Sequence, residues 1–161
     1  MLRRVLVGAI VCCAGLGGFA LMRAQSAAQS PQARPATAET MDVPAYHATP
    51  PQGPLPATLD PKLFPDAVNQ NVYALAAKIK KVLYQQPCYC HCDREVGHKS
   101  LLDCYVDKHA SVCATCKMEA VFAYQESKKG KTASEIRDEI MAGKWRTVDL
   151  SSYNVPGAVA K

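Results

Sequence analysis

Hydrophobic and polar positions alternate with a helical period in the middle of the chain. Over residues 66–86 the apolar positions recur every three or four residues, with lysines mostly between them: Val72, Leu75, Ala76, Ile79, Val82 and Leu83. This spacing is typical of an amphipathic helix whose apolar stripe faces a core. Asp66 or Asn69 is a suitable N-cap, and Pro87 ends the helix because the residue before a proline avoids helical angles.

A second helix is predicted over residues 107–129. In it His109, Cys113 and Cys116 are spaced i, i+4, i+7 and would share one inward face. The apolar residues beside that face are expected to be buried with it: Val112, Ala120 and Val121. The charged residues away from it are expected to point into solvent: Lys117, Glu119 and Glu126.

A capping box at Thr132 and Glu135 predicts a third helix, which continues to about residue 142 and ends at Gly143. Trp145 follows and is expected to pack on the helices. Between the first two helices lie an irregular loop over residues 88–98 and a short amphipathic segment over residues 100–106. The predicted fold class is mainly α: a three-helix module over residues 62–148 with one irregular cysteine-rich loop.

The two ends of the chain differ from this module. Residues 1–28 carry Arg3 and Arg4, an uncharged apolar run and small residues up to Ala28, which is typical of a cleaved signal peptide or an uncleaved N-terminal anchor. Residues 29–61 are rich in proline and alanine and predict a disordered linker, in which His47 is a solvated residue. Residues 149–161 predict a loose polar tail.

The formal charge of +5 gives no indication of a nucleic-acid partner. Three of the nineteen basic residues lie in the leader, so sixteen remain against fourteen acidic ones. The chain has no basic stripe with interleaved aromatic residues. The sequence therefore predicts no nucleic-acid binding, and membrane contact only through the N-terminal segment.

Candidate chemistry is concentrated in residues 87–116, where six of the eight cysteines and three of the four histidines lie. Cys88, Cys90 and Cys92 alternate, so in extended backbone their thiols would point the same way. The candidate metal ligands are these three residues and five that follow: His98, Cys104, His109, Cys113 and Cys116. A small exported domain often needs such a cross-link to supplement a thin core.

Several chemistries suit this cluster. Covalent haem attachment needs Cys-x-x-Cys-His, which the chain lacks, since Lys117 follows Cys116. A structural zinc site takes four ligands, which leaves some of these residues over. Copper(I) prefers clustered thiolates and is the favoured metal, with zinc as the second possibility.

Two interpretations without a metal remain open. Six cysteines in an exported domain are also typical of three disulfides, although bridges within the Cys88–Cys92 loop would be strained. A Cys-x-x-Cys pair at a helix N-terminus can exchange disulfides, but Cys113 is expected a few residues inside its helix. We therefore expect a binding protein and not an enzyme, with a thiol–disulfide oxidoreductase as the minority alternative.

The same residues resemble a family of bacterial exported proteins known by a Pro-Cys-Tyr-Cys-Gly-Cys motif. The resemblance covers residues 74–145 and includes Pro87 to Cys92, Gly97-His98, Cys104-Tyr105-Val106, His109 and Cys113-x-x-Cys116. It implies that the cysteines form one site but not what that site holds, because the family has no assigned biochemical function. His91 stands where the motif has glycine, so its side chain either adds a ligand or shows that the glycine is not required.

Together these features predict an extracytoplasmic protein, periplasmic or at the cell surface, that binds Cu(I) for sequestration or delivery. Its partners would be the metal ion and an extracytoplasmic copper acceptor or donor protein. The alternative without catalysis is an interaction module stabilised by disulfides or by zinc.

Overall fold

The computed structural model of the protein describes residues 42–159. Within them the secondary structure is helical and contains no strand, which confirms the mainly α fold class. The α-helices are α1 (Ala67–Lys78), α2 (Lys80–Leu83), α3 (Cys92–Glu95), α4 (Asp103–Val106), α5 (His109–Val112), α6 (Ala114–Lys128) and α7 (Ala133–Met141). Three 3-10 helices span Pro61–Leu63, Lys144–Thr147 and Leu150–Tyr153.

The predicted leader, residues 1–28, and the first part of the predicted linker lie outside the described residues. No helix in the described part of the chain combines the length and apolar character needed to cross a membrane.

The predicted first helix is present but is divided at Ile79. Asp66 caps α1 by accepting a hydrogen bond from the backbone N–H of Asn69 at 2.9 Å. Ile79 leaves the helical region, with φ −120° and ψ 29°, and its N–H bonds the Ala76 carbonyl at 3.2 Å. This bond to the third preceding residue tightens the last turn of α1 and ends it.

The prediction of one continuous helix over residues 107–129 is wrong. Near its beginning Cys113 is extended, with φ −106° and ψ 111°. The chain therefore forms α5 and α6 with a bend between them, and the predicted ligands do not share one helix face. The bend leaves Val112 86% exposed instead of buried. Glu119 and Glu126, predicted to face solvent, are buried at 0% and 5% exposure.

An aromatic cluster connects α1 with α4, the short helix that carries Cys104. Phe64 packs on Tyr73 with ring centroids 4.1 Å apart, and Tyr73 meets Tyr105 edge-on at 5.0 Å. The Tyr73 hydroxyl donates to the Asp107 carbonyl at 2.8 Å. Rings of this size dominate a small core, and here they support the segments that carry the thiols.

The third predicted helix is confirmed as α7. Thr132 and Glu135 form the expected capping box, with the Thr132 N–H 2.8 Å from Glu135 Oε2. Ile136 and Ile140 are fully buried, and Trp145 is only 6% exposed, as the sequence predicts. Helices α6 and α7 both contact the 3-10 helix that carries Trp145.

The C-terminal residues pack against α1, so the prediction of a loose tail is wrong for the described part. The Asn71 side-chain amide donates to the carbonyls of Tyr153 and Val155, each at 2.8 Å. Lys78 Nζ donates to the Val159 carbonyl at 2.7 Å, and the Val159 side chain is 5% exposed. These bonds hold the tail against α1. They also give the buried Asn71 amide the hydrogen-bond partners that a buried polar group needs.

Residues 42–59, here called the N-terminal strap, also pack on the module, although the sequence predicts a disordered linker there. The Leu59 N–H donates to the Tyr105 carbonyl at 2.9 Å, and Lys80 Nζ donates to the Pro56 carbonyl at 3.1 Å. His47, predicted to be solvated, stacks on Tyr84 with ring centroids 3.9 Å apart. Proline fixes extended backbone without requiring a disordered chain.

Candidate metal centre

The first arm of the site is the loop that carries Cys88, Cys90 and Cys92. Its turn depends on His91, which has φ 58° and ψ 30° and whose N–H donates to the Cys88 carbonyl at 3.1 Å. Helix α3 begins directly afterwards with Cys92. The three thiols converge as predicted, but a turn brings them together and not the extended backbone that we expected.

The conformation of His91 explains the glycine of the resembling motif. A positive φ of this size is the left-handed region, which glycine enters without the steric cost that a Cβ atom imposes. His91 belongs to neither of the two groups of converging ligand atoms described below. A glycine at this position would adopt the same backbone without that cost, whereas in this chain histidine adopts it.

The second arm is the segment from Gly97 to Asp107. Gly97 turns the chain with φ 75°, and α4 places the buried Cys104 thiol 3.4 Å from the Cys92 sulfur. His98 lies beside this pair, with Nδ1 3.4 Å from Cys104 Sγ and Nε2 3.1 Å from Asp107 Oδ2. A carboxylate on the far nitrogen orients the ring, as commonly found around metal-binding histidines.

The third arm is the bend between α5 and α6. Cys113 stands at the N-cap of α6, and Cys116 in the first turn places its sulfur 3.3 Å from Cys88 Sγ. The Cys116 carbonyl accepts a hydrogen bond from the Tyr105 hydroxyl at 2.8 Å. His109, in α5, brings Nε2 to 3.5 Å from Cys90 Sγ.

The ligand atoms form two groups of four, each with all its atoms within 4.8 Å of one another. One group is Cys88, Cys90, Cys92 and Cys104; the other is Cys90, His109, Cys113 and Cys116. Seven of the eight predicted ligands belong to these groups, and His98 lies beside the first. In a tetrahedral site with metal–sulfur bonds of about 2.3 Å, the sulfurs lie about 3.8 Å apart. The ligand atoms of either group would therefore need to move only slightly to surround a metal ion.

The six cysteines of the described residues are free thiols. The shortest sulfur–sulfur separation is 3.3 Å, between Cys88 and Cys90 and between Cys88 and Cys116. A disulfide bond is about 2.05 Å long. The packing is therefore that of neighbouring thiols, close enough to share one metal ion.

The charge state of the cluster is uneven. Hydrogen bonds from neighbouring thiols, mainly Cys116 and Cys88, lower the pKa of Cys104 to about 4. Similar bonds from Cys104 and Cys113 lower the pKa of Cys90, whereas bonding to Cys104 and Cys116 raises the pKa of Cys88. The lowered pKa values favour the thiolate form at Cys90 and Cys104, and thiolates are the metal-binding form.

His98 complements that charge. Burial lowers the pKa of its imidazole, but contacts with Cys104 and Asp107 together outweigh burial, so the net pKa is raised. A protonated His98 stabilises a neighbouring thiolate by charge attraction.

Glu119 is a residue of the site that the sequence analysis missed. Its carboxylate is fully buried, and Oε1 accepts the backbone N–H of Tyr89 at 2.9 Å. Burial raises the pKa of this carboxyl to about 8, and Oε2 has no hydrogen-bond partner among the described residues. The signal was its position three residues after Cys116, on the same side of α6.

The N-terminal strap covers one side of the thiols. Pro44 and Ala45 line a narrow crevice together with Cys88, Cys92 and His98. The Ala45 N–H donates to Asp93 Oδ2 at 3.0 Å, and Asp42 forms an ion pair with Arg94 on α3. The strap is therefore fastened to the same short helix that begins with Cys92.

Comparison with known proteins identifies the relationship that the motif indicates. Neither the curated proteins nor the solved structures give a match to this chain. The family model described as "Protein of unknown function with PCYCGC motif" matches residues 16–146, which include the whole metal centre described above. The chain therefore belongs to the family of proteins of unknown function that carry the PCYCGC motif.

Proposed function

We propose that the protein is an exported metal-binding protein whose cysteine and histidine cluster takes Cu(I), for sequestration or for delivery to another protein. The observation that carries the proposal is the convergence of six free thiols and one imidazole in two groups that share Cys90. Soft thiolates and imidazole are ligands that Cu(I) accepts, and two or three of them are enough to coordinate it. Neither group includes a carboxylate among the described residues.

Zinc is the alternative metal, because each group offers the four ligands of a tetrahedral zinc site. Two considerations favour copper. The six thiols outnumber the ligands of one zinc ion, and several sulfurs are about 3.3–3.6 Å apart and suited to bridging between soft metal ions.

The proposed extracytoplasmic location rests on the sequence of the N-terminal leader. Arg3 and Arg4 before the apolar run of residues 5–22 support export, with the membrane reached only through this N-terminal segment. Outside the cytoplasm free thiols are exposed to oxidation, and a bound metal would protect them. The partner would then be an extracytoplasmic copper acceptor or donor protein.

Binding is proposed here in preference to catalysis. The position of Cys113 at the N-cap of α6 is one that thiol–disulfide oxidoreductases use, contrary to the sequence expectation. However, the pKa of Cys113 is raised by contact with Cys90 and by burial, which together outweigh the lowering effect of Cys116. A thiol with a raised pKa is a poor nucleophile at neutral pH. An oxidoreductase therefore remains the second candidate function.

The test is elemental analysis of the protein purified without oxygen, together with thiol counting after denaturation. We expect at least one copper ion per chain, with every cysteine as a thiol. The double variant Cys90→Ser/Cys116→Ser should bind copper much more weakly, whereas His47→Ala, which removes a histidine outside the two ligand groups, should bind it as the unchanged protein does.

Three results would contradict parts of this proposal. Protein without metal and without free thiols would show disulfides and end the metal proposal. Stoichiometric zinc that copper does not displace would replace copper as the metal. Catalysed disulfide reduction by the metal-free thiol form, lost in Cys113→Ser, would favour the oxidoreductase.

A further inference from the structure

We infer that the centre holds two metal ions joined by the Cys90 thiolate: an inner ion that the protein retains and an outer ion that it exchanges. The inference rests on the proposed metal-binding function and goes beyond it in the number, position and accessibility of the ions.

The number of ligands is the first argument. The described residues provide seven ligand atoms in the two groups, and a single ion uses at most four of them, whether it is Cu(I) with two or three ligands or tetrahedral zinc with four. One ion would leave at least three ligand atoms unused beside it. Two ions account for all seven, provided that one ligand binds both.

The position of Cys90 makes it that shared ligand, since it is the common member of the two groups. Its sulfur lies 3.3 Å from Cys88 Sγ in the first group. In the second group it lies 3.6 Å from Cys116 Sγ and 3.5 Å from His109 Nε2. Two metal–sulfur bonds of about 2.3 Å to one thiolate place the ions no more than about 4.6 Å apart.

The inner ion is the one bound by Cys88, Cys90, Cys92 and Cys104. Apart from Cys90 these ligands are buried, with exposures of 3% for Cys88, 2% for Cys92 and 0% for Cys104. Pro44 and Ala45 of the N-terminal strap lie over this side. An ion here can leave only after the strap or the α3 turn moves, so the fold retains it.

The outer ion is bound by Cys90, His109, Cys113 and Cys116. Three of these four ligands are only partly buried, and Cys116 alone is fully buried. The bend that carries Cys113 is open to solvent, since the adjacent Val112 is 86% exposed. A ligand from outside therefore reaches this ion without any rearrangement of the helices.

Exchange at the outer ion is a ligand substitution with no change of oxidation state. In the first step an incoming thiolate would form a metal–sulfur bond while the bond from the metal to His109 Nε2 breaks, and the imidazole would leave as a neutral group. The bonds to Cys113, Cys116 and Cys90 would break in the same way as further donors of the partner replace them, so no electron has to be supplied. The ligand chemistry that suits this position is a soft donor on an exposed segment of a partner, a cysteine thiolate above all.

The experiment titrates the full chain with Cu(I), and separately with Zn(II), in the absence of oxygen. Native mass spectrometry counts the ions, and a chromogenic chelator then removes them. We expect two ions per chain, one lost at least tenfold faster than the other. X-ray absorption of the two-ion form should show a metal–metal distance below about 4.6 Å.

Variants assign the two ions to the two groups. Cys113→Ser and His109→Ala should each bind one ion and lose the fast phase, while Cys104→Ser should keep the fast phase and lose the slow one. Val112→Ala, in the same bend but without a ligand, is the matched control and should keep both ions. Because the buried Cys104 substitution can impair folding, the half-buried Cys113 substitution carries the decision.

The outcomes separate this inference from the proposed function. A chain that binds one ion, in the unchanged protein and in Cys113→Ser alike, overturns the two-ion inference and leaves metal binding intact. Two ions removed in a single phase overturn the distinction between inner and outer positions. A chain that binds neither copper nor zinc overturns both the inference and the proposed function.

Discussion

The carboxylate of Glu119 accepts a hydrogen bond from the backbone N–H of Tyr89 at 2.9 Å, inside the protein. Tyr89 stands between Cys88 and Cys90, whereas Glu119 belongs to α6 one turn after Cys116. This single bond ties the loop that carries three thiols to the helix that carries the others. Glu119 thus positions the candidate ligands and belongs to neither ligand group itself.

The substitution Glu119→Leu should weaken metal binding by about 10- to 100-fold, the usual effect of removing a residue that orients ligands. Leucine fills much of the same volume but cannot accept the Tyr89 N–H. Glu119→Gln keeps an acceptor and should lose much less affinity. Competition with a chelator of known affinity measures the difference, and equal affinities for the two variants would contradict this role.

The contribution of Glu119 to the stability of the metal-free protein should decrease between about pH 4.5 and pH 8. Burial raises the pKa of Glu119 from 4.5 to about 8. In this window the folded chain retains a proton that the unfolded chain releases, so the free energy of unfolding falls as the pH rises. Each pKa unit corresponds to about 1.4 kcal/mol, so the change is at most a few kcal/mol.

Urea unfolding at several pH values measures this effect. Glu119→Gln has no titrating group at the position, so the free energy of unfolding of the unchanged protein, relative to that of this variant, should fall as the pH rises through this window. Parallel pH profiles for the two proteins would show that Glu119 does not titrate in this window.

Replacing His91 by glycine should stabilise the fold by about 1 kcal/mol, because the left-handed backbone at φ 58° costs a residue with a Cβ atom about 1–2 kcal/mol. Part of this gain is offset by the greater freedom of glycine in the unfolded chain. His91→Val should have the opposite effect, since a branched side chain fits the left-handed region poorly. The midpoint of thermal unfolding of the metal-free proteins compares them.

The number of bound metal ions should be the same in His91→Gly as in the unchanged protein. His91 belongs to neither ligand group. Loss of one ion in this variant would show instead that the histidine at the motif's glycine position is a ligand.

The substitution Asp93→Ala should loosen the N-terminal strap over the inner thiols. It removes the acceptor of the Ala45 N–H, a bond of 3.0 Å. We expect the slow phase of metal loss to become roughly three- to tenfold faster, as for a hydrogen bond contributing about 0.5–1.5 kcal/mol. Glu95→Ala, an exposed residue of the same helix, is the control, and equal rates for the two variants would mean that the strap does not retain the inner ion.

The sequence was sufficient for the helical fold class and for most of the residues whose side chains converge, because both depend on local signals. The period of Val72, Leu75 and Ala76 and the capping box at Thr132 each lie within one element. The cysteines are recognised by residue type alone, and seven of the eight predicted ligands lie in the two groups.

The bend at Cys113 could not be read from periodicity. The spacing of His109, Cys113 and Cys116 fits a continuous helix equally well, and the bend depends on contacts that the hydrophobic period does not show. The Tyr105 hydroxyl binds the Cys116 carbonyl, and Asp107 Oδ1 accepts the His109 N–H at 2.7 Å. These contacts fix α6 and α5 separately, which also exposes Val112.

The two ends of the module were misjudged for a related reason. Polar and proline-rich segments lack a periodic apolar stripe, so the sequence favours a disordered linker and a loose tail. In the structure several backbone carbonyls of the strap and the tail accept hydrogen bonds from side chains of the helical module, such as Lys80 and Asn71. Such bonds depend on no particular residue in the strap or tail and leave no pattern in its sequence.

X-ray absorption at the metal edge tests most directly whether the converging thiols bind a metal. For the chain loaded with Cu(I) without oxygen, we expect a first ligand shell around copper that is dominated by sulfur at about 2.3 Å. A smaller nitrogen contribution should be present, lost in His109→Ala and retained in His47→Ala. A ligand shell of nitrogen and oxygen alone, without sulfur, would show that the converging thiols do not bind the metal.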